Sequence, residues 1–263
     1  MTELLVTTAQ QATISQGETV KITVPAEAQA SLALVLATPP EAVVELEGNI
    51  GENSTFTLLV IDHGAGRLTL KETWDIGAQA RVKIAQSQLA DHDAAVESGY
   101  RLNGRGAELV VQTASLTKGK RTIEQDCRHL GAASSADLRN YGVVLPHGDC
   151  QMVVKNTIAK GVHGCRTYQT SRLLTNDATA RGKILPILYI DDDQVQAGHA
   201  ASLGQPSAGQ LYYLQSRGLS RSQALRLIVT GYLMPVTEIL QDEQLNRTLA
   251  AEIETKVSQE CTM

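Results

Sequence analysis

Apolar and polar residues alternate in short runs from Thr19 to about Ile190, each broken by Gly, Asn, Asp, Ser or Pro, and a period of two is the pattern of half-buried strands. Strands are predicted at VKITVP (from Val20), SLALVLAT (from Ser31), FTLLVID (from Phe56), RLTLKET (from Arg67) and RVKIAQS (from Arg81). Further strands are predicted at AELVVQTA (from Ala107), YGVVL (from Tyr141), QMVVKNTI (from Gln151) and ILPILYID (from Ile184). Segment 85–98, AQSQLADHDAAVES, reads as one or two helical turns or as a loop, since Asp91 and Asp93 weigh against helix. Strands about ten residues apart without crossover helices leave a sandwich, a barrel or a β-helix. The polar residues Gln112, Asn140, Lys155, Asn156 and Gln169 favour the β-helix, because a solenoid with one solvated face tolerates such interruptions; no strict repeat is legible.

The period changes after Pro206. Ser207 can cap a first helix, 208–216, that Gly218 ends; Ser220 caps a second, in which Leu225, Ile228, Val229 and Leu233 share one face until Pro235 interrupts. A third helix, from Glu243 to Gln259, carries Leu245, Leu249, Ile253 and Val257 at four-residue intervals. Its apolar stripe either packs on the second helix or is offered to a partner. The expected organisation is a strand core over 1–203 and a helical domain over 204–263.

Composition narrows the function. Aromatic residues make up 3% of the chain, so aliphatic side chains must build the core. With 23 basic against 28 acidic residues, a net charge of −5 argues against nucleic acid. No apolar run approaches the ~20 residues that span a bilayer, and MTELLVTTAQQ lacks the features of a secretory leader, so a cytoplasmic protein is expected. Four scattered cysteines, Cys127, Cys150, Cys165 and Cys261, are read as reduced thiols.

Few residues offer chemistry. His199 stands alone in the segment 196–202, QAGHAAS, as an imidazole that can bind iron or pack against a backbone carbonyl. His147 with Cys150, His163 with Cys165, and Cys127 with His129 are weaker metal candidates, because none has zinc-ribbon or ferredoxin spacing and isolated cysteines commonly serve as small apolar fillers. The run 191–193, three aspartates, is read as a solvated turn. Gly119-Lys120-Arg121 and Gly182-Lys183-Ile184 lack the spacing and the hydroxyl of a phosphate loop, so any ATP chemistry must come from another chain. A β-helical polysaccharide lyase or hydrolase would need paired carboxylates and stacking aromatics that are scarce here. No enzyme activity is expected.

One resemblance is specific. An acidic, valine-containing strand, 191–195 (DDDQV), runs into the His199 segment; then follow 211–219 (LYYLQSRGL) and 224–232 (ALRLIVTGY). In this order they resemble the C-terminal signature of the SufB/SufD family, scaffold subunits of iron–sulfur cluster assembly. The likeness is looser over 104–176 and weak over 1–97, and the chain is short for the family. The resemblance implies a right-handed parallel β-helix followed by a small α-helical domain, pairing with a SufB-like subunit, and docking of a SufC-like ATPase through the helices. A homodimer in isolation would use the same strand edges. SufB-type members carry glutamates on both sides of the histidine, where this chain has Gly198 and Ala200, and a cysteine near Thr170 and Ser171 that is absent, so the resemblance is to SufD. Ala197 stands where SufD members often have a cysteine. The resemblance further implies no tightly bound cofactor, but a transient iron–sulfur cluster or iron at the SufB interface beside His199. It places partner docking at Tyr212, Tyr213, Arg217, Gly218, Leu225, Ile228, Val229 and Tyr232. A degenerate member serving only as a structural adaptor is the alternative.

Overall fold

The computed structural model describes residues 1–175, 177–240 and 243–260; Cys261 lies outside them. The first eight strands are β1 (Thr2–Leu5), β2 (Ala9–Ile14), β3 (Thr19–Val24), β4 (Gln29–Leu36), β5 (Ala42–Ile50), β6 (Thr55–Asp62), β7 (Leu68–Ile76) and β8 (Arg81–Gln88). The next eight are β9 (Ala94–Leu102), β10 (Glu108–Thr117), β11 (Lys120–His129), β12 (Ser135–Val144), β13 (Asp149–Ile158), β14 (Arg166–Thr175), β15 (Arg181–Ile190) and β16 (Gln196–Gly204). Odd-numbered strands form one eight-stranded parallel sheet and even-numbered strands the other, so the chain winds as a β-solenoid. Segment 85–98 is not helical: it is the end of β8, a turn and the start of β9.

The winding has a repeat that residue identities barely advertise. Leu68 pairs with Ala94, Ala94 with Arg121, Arg121 with Cys150 and Cys150 with Gly182, so the coil lengthens from 26 residues to 32 along the chain. At one corner Gly51, Gly77, Gly104 and Gly131 stack on successive coils. A Cβ on Gly104 would fall inside the backbone of Ala78, and one on Gly131 inside that of Gly104. Two residues on, Asn53, Gln79, Gly106 and Ala133 all take positive φ, and the Gln79 and Gly106 amides donate to the Arg105 and Ala132 carbonyls of the next coil. The corner thus locks coil to coil where side chains would not fit.

Inside the solenoid lie aliphatic rows with Phe56 and Trp74. The polar residues expected on a solvated face are mostly elsewhere. Asn140, Asn156 and Gln169 are fully buried and inward, and Gln112 is buried under the helices; Lys155 alone of the five is on the outer face of the odd sheet. A hydrogen-bonded vein crosses the interior instead. Ser98 and Gln86 donate to Glu72 Oε2, Thr113 to Gln86 Oε1, Gln125 to Thr113 Oγ1, and Asn140 to both Gln125 Oε1 and Ser171 Oγ. These shared bonds make such a row tolerable in an apolar interior, although Glu72 Oε1 and Asn140 Oδ1 have no partner. Glu72 is wholly buried, and desolvation raises its pKa to about 7.

Three helices follow: α1 (Ala208–Ser216), α2 (Arg221–Leu233) and, after a 3₁₀ turn at Met234–Ile239, α3 (Glu243–Glu260). Ser207 precedes α1 without a side-chain capping bond, whereas Ser220 and Gln223 form a reciprocal capping box on α2. Pro235 is the second residue of the 3₁₀ turn. The stripe Leu249, Ile253 and Val257 packs on Val229 and Leu233 of α2 and equally on the solenoid, where Leu59, Ile61, Ala85, Leu116 and Val143 face outward from the even sheet. Covering that flank is the reason β6 is apolar on both faces. Glu252 of α3 accepts from Ser87 at 3.0 Å, which ties the helix to β8.

Candidate functional site

Among the described residues nothing covers the last coil of the solenoid. In β13 the inward positions Cys150, Met152, Val154, Asn156 and Ile158 are all buried, but their partners one coil on, Gly182, Ile184, Pro186, Leu188 and Ile190, are only partly so. In β14 the inward Thr167, Gln169, Ser171 and Leu173 are buried, while their partners Ala197, His199, Ala201 and Leu203 in β16 are exposed, Leu203 by 56%. Both last strands are free edges, with backbone donors and acceptors available to a further strand. Outward Leu185 and Tyr189 on β15 add apolar surface beside them. An apolar interior left open, rimmed by two unpaired edges, is chemically an unfinished core.

His199 stands in this opening, inward and exposed, directly above Gln169 in the ladder. Gln169 is buried; its Nε2 donates to the Ile187 carbonyl at 3.0 Å, and its Oε1 has no partner. Ala197 shares the inward face two residues away and brings no thiol. Among the described residues no three His, Cys, Asp or Glu side chains gather around one point, so this chain offers a cluster one imidazole rather than a ligand set.

The other candidates are separated from the opening and from one another. Cys127 is buried and its thiol pKa is raised by desolvation; Cys150 is likewise buried and raised, between Met152 and Leu173. His163 is on the surface, paired with Asp192 at 3.0 Å, while Cys165 points inward to Ser134 at 3.4 Å, so the two diverge. Asp192 also accepts from the Gly161 and Gln194 amides, and the hydrogen bond to His163 holds its carboxyl below the ordinary range. It closes a turn. Cys127 and His129 do share the inner face of β11. His129 Nδ1 lies 2.8 Å from Ser134 Oγ, and since that hydroxyl donates to the Gly131 carbonyl, the ring is the donor. Burial lowers the His129 pKa to about 4, so the ring is neutral. His147 is exposed on a corner.

The helical candidates divide by exposure. Tyr212 and Tyr213 of α1 are 76% and 55% exposed, with the Arg217 guanidinium 5.2 Å from the Tyr213 ring centre. Gly218 takes φ +93 and ends the helix. Leu225 is half-buried, Ile228 and Tyr232 pack against the covered flank, and Val229 is fully buried in it, with no surface left for a partner. Leu227 is exposed instead and lines a groove of about 410 Å³ with Leu219, Arg226 and Glu254. Gln169, Leu203 and Leu227 were missing from the sequence-derived set. The signal that could have found them is the phase of the alternation in the last strands and the far side of α2.

The family model of the SufBD core domain of the SUF system for iron–sulfur cluster assembly matches residues 6–232. The chain belongs to the SufBD core family. The match takes in the whole solenoid from Val6 onward, including the part where the motif resemblance was weak, and continues through most of α2. Among SufBD relatives, the iron–sulfur cluster assembly protein SufD of Bacillus subtilis (strain 168) is 32% identical over 229 residues, 83% of this chain and 52% of that protein. A SufBD family protein of Mycobacterium leprae (strain TN) is 30% identical over 132 residues, 49% of this chain and 15% of its own length. One of Staphylococcus aureus (strain USA300) is 33% identical over 122 residues, 45% of this chain and 25% of its own length. The chain spans about half the length of the Bacillus relative and less of the other two.

Proposed function

We propose that this chain is a SufD-like, non-catalytic scaffold subunit of cytoplasmic iron–sulfur cluster assembly. Its open solenoid end pairs with a SufB-like subunit and brings His199 to a shared seam, where the partner supplies the remaining ligands of a transient cluster or iron. The observation that carries the reading is the last coil: inward rows sealed through β13 and β14 become exposed in β15 and β16, with both edges unpaired. An end-on partner continues both sheets and buries Leu188 and Leu203, each worth about 1.5–3 kcal/mol. A SufC-like ATPase docks on the exposed side of the helices, at Tyr212, Tyr213 and Leu227.

The test of pairing is co-purification with a SufB-like subunit. Leu203→Asp, whose side chain is exposed in the isolated chain, is expected to abolish pairing while leaving the chain folded; undiminished pairing refutes the interface. For the ATPase, removing everything after Gly218 is a poor experiment, because it uncovers Leu59, Ile61, Leu116 and Val143. Leu227→Asp and Tyr212→Ala spare that flank. Retained pull-down of the ATPase by both variants refutes the docking surface.

Ala197 supports a second reading, in which the chain dimerises and docks the ATPase but contributes no ligand. Anaerobic reconstitution of the complex with ferrous iron and sulfide decides between them. Cluster yield unchanged by His199→Ala favours the bare adaptor, and a several-fold loss favours the ligand.

A further inference from the structure

We propose that Gln169 is the positioning residue for His199: its side-chain carbonyl accepts one ring N–H, so that the opposite ring nitrogen is presented, unprotonated, at the open end of the solenoid. The inference rests on the reading of that end as the assembly seam and deepens it. Parallel register places the two residues directly opposite, on strands that pack about 4.8 Å apart, with both side chains on the inner face. The orientation of the Gln169 amide is set by its own bond: Nε2 donates to the Ile187 carbonyl at 3.0 Å, which leaves Oε1 as the free end.

That oxygen is buried and has no partner. A buried acceptor left in this state is costly and favours a donor within reach. On the side of the preceding coil its neighbour is Leu138, which has none. On the side of the open end the opposite residue is His199, flanked on the same face by Ala197 and Ala201, which have none either. The imidazole is therefore the side-chain donor that the ladder places over the orphaned carbonyl, and a rotation of the exposed ring brings the two together.

The consequence is chemical. A histidine that binds a metal typically gives its second N–H to a fixed acceptor, which sets the tautomer, aims the lone pair and makes the ring a better donor to the ion. An exposed imidazole on a strand edge without such a support would sample both tautomers and several rotamers. Gln169, pinned from the opposite sheet, removes that freedom before any partner or iron arrives.

The experiment uses the full chain with ¹⁵N-labelled histidine at a pH where the His199 ring is neutral, its signals assigned by comparison with His199→Ala. Ring nitrogen shifts report the tautomer. A single tautomer is expected in the wild type and a mixture in Gln169→Met, which keeps the length and lacks the acceptor. Thermal unfolding of both chains checks that the fold is intact. Should Gln169→Met fail to fold, Gln169→Leu and the wild-type ring shifts, single or mixed, decide in its place. A mixed tautomer in the wild type, or a ring indifferent to loss of the acceptor, overturns the proposal. Reconstitution of the partnered complex with ferrous iron and sulfide then reads the underlying function separately. Positioning with consequence gives a several-fold lower yield in Gln169→Met. A tautomer that responds while the yield does not upholds the positioning and removes His199 from the ligand set.

Discussion

The buried carboxyl of Glu72 gives the solenoid a calculable dependence on pH. Desolvation favours its neutral form and outweighs the two hydrogen bonds from Ser98 and Gln86, so it titrates near 7 in the folded chain against an ordinary value of 4.5. Between those values the folded state holds a proton that the unfolded chain has released. Stability is therefore full below 4.5 and falls as pH rises toward 7, by a total of about 3 kcal/mol, of which about 2.5 kcal/mol lies between pH 5 and pH 8. Glu72→Gln keeps an acceptor for both donors and does not titrate. Urea unfolding at pH 5 and pH 8 isolates the carboxyl, because every other titrating group is common to the two chains. The wild type should lose about 2.5 kcal/mol more than Glu72→Gln over this interval, seen as a drop in transition midpoint at unchanged slope. Parallel pH profiles would refute the argument, and a wild type that gains stability with pH would reverse its sign.

Other consequences are as concrete. Gly104→Ala should cost about 3 kcal/mol or more, since its Cβ would meet the Ala78 backbone, while Gly204→Ala, with open space around it, should be near neutral; paired denaturation curves compare them. Arg121→Met should cost about 3 kcal/mol by the same assay, because the buried guanidinium satisfies Gln88 Oε1 and the Ala90 and His92 carbonyls. Ser220→Ala removes the capping bond of α2 and should cost about 1 kcal/mol. With Cys261 replaced by Ser, the buried Cys127, Cys150 and Cys165 should resist an aqueous disulfide reagent until the chain is unfolded; rapid native labelling of any of them would contradict their burial.

Much of this architecture was legible because burial alternates along most strands: VKITVP and QMVVKNTI became β3 and β13 within a residue or two. The helices were equally plain, from the Ser220 cap to the stop at Gly218. Strand β14 escaped notice since its inward residues include Gln169 and Ser171, polar groups that pair with the Ile187 carbonyl and with Asn140 rather than with water. The same mispricing assigned Asn140 and Asn156 to a solvated face. The repeat was hidden by drift in coil length, yet the glycines at 51, 77, 104 and 131 keep intervals of 26, 27 and 27 residues and were there to be read. The unbroken apolar run of β6 likewise announced a second covering layer, which proved to be α2 and α3. His199 was singled out by its motif; Gln169, its proposed support, needed the register, because residues 30 apart become neighbours only once the coil length is known.

On the proposed pairing, the open coil is the meeting surface of two scaffold subunits. Hydrogen–deuterium exchange of this chain, alone and bound to a SufB-like subunit, tests it most directly. Fast exchange of the unpaired edge amides of β15 and β16 is expected in the isolated chain, and strong protection of residues 181–204 in the complex. Protection elsewhere on the surface, with those two strands exchanging as fast as before, would contradict it.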